Sequence, residues 1–146
     1  MAMLHDANFR AEIQNRIRTL NRDTKPRWGT MSVDQMLWHV NGFLEMALGR
    51  IDVPPRRVPF AGPLLKFVVL HFPWGKGAPT LPDFVARARH DFEAEQTRCL
   101  RLIEEMASRD LNGPWPPNPL FGKVTGRDVT RLHAKHLDHH LRQFGA

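Results

Sequence analysis

Arg131-Leu-His-Ala-Lys-His-Leu-Asp-His-His-Leu-Arg-Gln-Phe144 carries four of the chain's eight histidines, and its periodicity decides how the remainder is read. At about 100° of rotation per residue, a helix through it places His133, His136 and His140 within about 60° of one another. Val129, Leu137 and Phe144 fall beside them, Arg131, Lys135, Asp138 and Arg142 fall opposite, and His139 sits at the margin. Two imidazoles four residues apart on an inward helix face reach one metal ion from the same side. Histidines in a last turn also favour the negative end of the helix dipole, which needs no metal. That suffices for one histidine. Three on an apolar stripe are costly to bury without a shared partner.

Outward from this helix, 146 residues with 42% hydrophobic content predict a single domain, 1–146, with an ordinary core. No apolar run has membrane-spanning length, and MAMLHDANFR lacks the apolar stretch of a signal peptide. A single cysteine excludes an internal disulfide framework and fits a reducing cytoplasm. The net charge of +6 invites a nucleic-acid reading, but the arginines are scattered and no nucleic-acid motif appears, so the charge reads as solvated surface.

Three further helices precede the histidine segment. Phe9, Ile13, Ile17 and Leu20 recur at helical spacing and predict the first, over Asp6 to Leu20. Ser32-Val-Asp-Gln35 has the form of a capping box and opens a second helix that runs to about Leu48 and stops at Gly49. Its stripe is Val33, Met36, Leu37, Val40, Leu44 and Ala47; His39 lies on the flank of that stripe, beside Phe43 and Met46. Pro82 predicts the start of a third helix reaching about Ser108, with Val85, Ala88, Phe92, Cys99, Leu102, Ile103 and Met106 as its core stripe. Glu95 interrupts that stripe. A carboxylate there needs a partner, either a metal site with histidine ligands or an arginine such as Arg16. Thr125, with Asp128 three residues on, caps the final helix. The architecture so predicted is an all-α four-helix bundle, a fold that commonly builds metal sites between facing helices.

Residues 51–82 hold seven of the twelve prolines, which predicts a long crossover between helices 2 and 3. Between Pro63 and Pro73, an apolar run suits either two helical turns or a strand. Phe67, Leu70, Phe72 and Trp74 exceed what a plain connector needs, so the segment reads equally as a connector and as a lid or subunit contact.

A histidine in a capped second helix, followed far downstream by His-x-x-x-His and a glutamine three residues later, resembles the DinB/YfiT-like superfamily of metal-dependent bundles. The matching positions are His39, His136, His140 and Gln143, and the likeness extends through Trp28 to His39 and Asn118 to Gln143. Many members end in His-Arg-Gly-Gln, where this chain has His140-Leu-Arg-Gln143. The resemblance implies a divalent ion, zinc or nickel, on His39, His136 and His140, and frequent homodimers. It also implies a small-molecule substrate: some members transfer low-molecular-weight thiols, and others are described only as hydrolases. A non-enzymatic metal or small-ligand binding bundle is the alternative. Three protein ligands leave coordination positions open, as catalytic rather than structural sites do. Within this reading Glu95 is the expected base or ligand orienter, His133 the rival ligand or pocket residue, and His139 peripheral.

Overall fold

The computed structural model describes residues 1–57, 62–78 and 80–146. Five α-helices occur among them: α1 (Ala7–Thr19), α2 (Val33–Ala47), α3 (Gly62–His71), α4 (Phe92–Ser108) and α5 (Gly126–Gln143). No strand is present among the described residues; the one bridge pairs Asn118 with Gly122. The expected all-α bundle is thus formed by α1, α2, α4 and α5, with α3 added by the crossover. No helix among the described residues is long and apolar enough to cross a membrane.

Each long helix begins at a side-chain oxygen that takes up otherwise unpaired backbone N–H groups. Asp6 accepts from the N–H groups of Asn8 and Phe9, and Asp91 accepts from that of Ala94. Thr125 and Asp128 bond each other's backbone N–H at 3.1 and 3.0 Å, closing a capping box at the start of α5. At α2 the Gln35 side chain accepts from the Ser32 N–H at 3.0 Å.

The core is the apolar stripe of each bundle helix turned inward. Ile13 and Ile17 of α1, Met36, Leu37, Val40 and Leu44 of α2, Cys99, Leu102, Ile103 and Met106 of α4, and Leu137 and Leu141 of α5 are all buried there. Cys99 is fully enclosed, and burial pushes its thiol up to about 12. α3 lies against α5 and buries only Leu70, leaving Leu64, Phe67 and Val68, with Phe72 just beyond its end, about half exposed.

The third bundle helix differs from its expected extent. Pro82–Phe84 is a single 3-10 turn, residues 85–91 are not helical, and α4 starts at Phe92. Val85 and Ala88, expected in the core stripe, are exposed. The cause lies in α2. His39 takes the Phe84 carbonyl, Gln35 donates to the Ala88 carbonyl, and Asp34 accepts the His90 N–H at 2.8 Å. Backbone groups that a continuous helix would pair internally are therefore committed to α2 side chains. Asp34 also binds the Arg89 guanidinium through both carboxylate oxygens. Burial alone would raise the Asp34 carboxyl, but these bonds hold it well below the usual carboxylate range.

Candidate metal centre

Helical spacing puts His136 and His140 on one face of α5, and the packing of α2 beside α5 brings His39 to them. One nitrogen from each of the three rings lies within 4.8 Å of the other two. The Nε2 atoms of His39 and His136 are 3.0 Å apart. His39 and His136 are buried, and His140 is partly so.

Two of the rings are held from behind. His39 Nδ1 lies 2.7 Å from the Phe84 carbonyl oxygen, and His140 Nδ1 lies 2.7 Å from Gln143 Oε1. A carbonyl oxygen only accepts, so in each ring Nδ1 must carry the proton and the neutral ring keeps its free lone pair on Nε2. The orientation of the Gln143 amide is fixed in turn, because its Nε2 donates to the Trp28 carbonyl at 3.0 Å. Gly29 permits that approach: a Cβ there would come within 2.9 Å of Gln143 Nε2. Gly42 does the same for the other ring. A Cβ on it would stand 2.4 Å from Phe84 Cδ1, so the bare helix face of α2 admits the residue whose carbonyl orients His39.

The electrostatics favour neutral imidazoles. Burial holds His39 below its ordinary value, against the opposing pull of the Phe84 carbonyl. His136 is driven well below it by burial and by the neighbouring histidines, and His140 falls to about 3 for the same reasons. Three neutral rings with lone pairs converging in a desolvated pocket make a donor set suited to a borderline divalent cation. Without one, the nitrogens of His39 and His136 at 3.0 Å share at most a single proton between them.

A model of the DinB superfamily matches residues 8–144. The chain belongs to the DinB superfamily. Comparison with curated proteins finds no match, and comparison with solved structures finds none either.

In this DinB-superfamily chain the other candidate residues separate from the histidine group. Glu95 is not part of it: its carboxylate takes a hydrogen bond from Asn41 Nδ2 at 2.8 Å and pairs with Arg98 at 3.1 Å. The arginine partner is thus Arg98 rather than Arg16, which pairs with Asp138. His133 is buried and held down at about 4 by that burial, and it lines a crevice shared with Leu70, Lys66 and Asp128. His5 bonds Thr130 and the Arg109 carbonyl, His90 stacks on Trp38, and His71 stacks on Phe67.

His139 departs from its expected peripheral place. It is 9% exposed, with Trp28 and Trp74 packed at ring-centroid distances of 6.0 and 5.6 Å. Both tryptophans belong to connectors, which a helical wheel does not represent. Trp74 also lies 5.8 Å from the His136 ring, and Phe43 of α2 packs edge-on to it at 4.8 Å. Trp74 belongs to the surplus aromatic surface of the crossover that the sequence shows, while nothing in the residue pattern points to Phe84 or Gly42.

Proposed function

We propose that His39, His136 and His140 hold a divalent metal ion, zinc or nickel, in an enzyme that acts on a small molecule. The reaction is transfer of a low-molecular-weight thiol, or hydrolysis. The observation that carries this reading is the pair of Nδ1 anchors, Phe84 O on His39 and Gln143 Oε1 on His140, which leave both Nε2 lone pairs free within a cluster whose ring nitrogens lie within 4.8 Å of one another. Such outer contacts set the tautomer and orientation of metal-binding imidazoles. An ion held there by three protein ligands supplies a Lewis acid with positions left for substrate. The chain's own part is to orient the rings, to keep them unprotonated and to exclude bulk water with Phe43 and Trp74. Glu95, engaged by Asn41 and Arg98, serves in this reading to join α2 and α4.

Elemental analysis of protein purified without a histidine tag tests the metal. About one zinc or nickel per chain is expected, and loss of it in each of His39→Ala, His136→Ala and His140→Ala. Full retention in His136→Ala ends the assignment. The second reading, a bundle that binds a metal or ligand without turnover, is favoured by the low exposure of the rings. Absence of thiol-transfer and hydrolase activity in fully loaded protein, across a panel of small thiols, esters and amides, would select it.

Pairing into homodimers belongs to the same proposal. Its support is the outer face of α3 and the residue after it, where Leu64, Phe67, Val68 and Phe72 stand exposed.

A further inference from the structure

Trp74 is tied down more firmly than an exposed connector requires. Its indole N–H donates to the Val69 carbonyl at 2.9 Å, which folds the chain after α3 back onto that helix. Lys135 of α5 reaches the same carbonyl at 2.6 Å and also bonds the Phe72 carbonyl. The ammonium group lies 5.3 Å from the centre of the Trp74 ring, within cation–π range. Lys135 thus satisfies carbonyls at the C-terminal end of α3, where a cation is favoured, and fixes the indole in one step. The ring it fixes is packed on His136 and His139.

The neighbouring aromatic residues of the crossover behave otherwise. Phe67 and Phe72 are 53% and 55% exposed, so the aromatic surplus of this segment divides into an outward pair and one inward tryptophan. From this division, and from the Lys135 clasp, we infer that Trp74 controls access to the three histidines. A molecule approaching from the α3 side reaches them only when the Trp74 indole moves off His136. Phe43 also packs on His136, so the group admitted beside the histidines meets two aromatic side chains and is flat or apolar. The functional meaning rests on the metal reading given above, but the access itself is measurable without any metal.

The test is histidine modification by diethyl pyrocarbonate in the metal-free full chain, followed residue by residue with mass spectrometry. His71, which is exposed, calibrates the reagent, and His5, bonded to Thr130 and Arg109, reports on the bundle as a whole. Trp74→Ala is expected to speed modification of His136 and His139 by about tenfold or more with His5 unchanged, and Trp74→Phe to stay near wild type. Equal rates in wild type and Trp74→Ala overturn the inference. If Trp74→Ala also speeds His5, the bundle has loosened and Lys135→Met decides. That variant releases the clasp and is expected to speed the same two histidines selectively; an unchanged rate there overturns the inference. Cobalt(II) uptake measured in parallel separates the two readings. Selective acceleration in a chain that takes up no cobalt keeps the access role and removes the metal. Stoichiometric uptake with unchanged modification rates does the reverse.

Discussion

Gln143 orients a proposed ligand without touching the space between the rings. Its carbonyl oxygen accepts from His140 and its amide donates to Trp28, so one side chain fixes a tautomer and ties α5 to the 26–31 connector. Gln143→Leu is expected to lower metal affinity roughly 10–100-fold, read by competition with a chelating dye, while the fold persists. Gly42 acts from the other side of the centre. Its alanine variant would drive a methyl into the Phe84 ring, displacing the carbonyl that orients His39. Overpacking of this kind costs about 1–3 kcal/mol, to be measured by urea unfolding, with weakened metal binding alongside. The i, i+4 pair of His136 and His140 was legible in the sequence because helical geometry alone joins them. Gly42 was not, because its meaning depends on a phenylalanine forty-two residues downstream, and no local pattern links the two.

At the level of elements, the sequence fell short where side chains of one helix compete for the backbone of another. Residues 82–91 have a helix-start proline and apolar spacing, yet His39, Gln35 and Asp34 draw their backbone groups onto α2. α4 therefore depends on Asp91 as its cap, and Asp91→Ala should cost about 1 kcal/mol in chemical denaturation. Between Pro63 and Pro73 the apolar run left helix and strand equally open, and packing against α5 resolves it as α3. The outer face of that helix carries its own expectation. Phe67→Glu should turn a dimer into monomers in analytical ultracentrifugation with the metal content unchanged; a wild-type chain that sediments as a monomer at about 100 µM removes the pairing.

Across the whole molecule, the buried imidazoles link stability to acidity. His133 and His140 are held to about 4 and about 3 in the folded chain, below the ordinary histidine value of about 6.5. The unfolded chain takes up protons that the folded chain refuses. Stability is thus complete above pH of about 6.5 and declines as the pH falls toward about 4 and then 3. His133 by itself contributes on the order of 3 kcal/mol over that window. Bound metal should accordingly be released together with the loss of helical circular dichroism, since burial holds all three rings below the ordinary histidine value in the folded chain. Release well above the unfolding midpoint would show that the rings titrate in place. Cys99 offers a separate readout of the same cooperative event. It is the chain's only cysteine, it is fully enclosed, and its thiol ionises only near 12, so an alkylating reagent meets no thiolate while the bundle stays closed. Iodoacetamide labelling at neutral pH then counts global openings one by one, a clock built into the native sequence that needs no engineered probe.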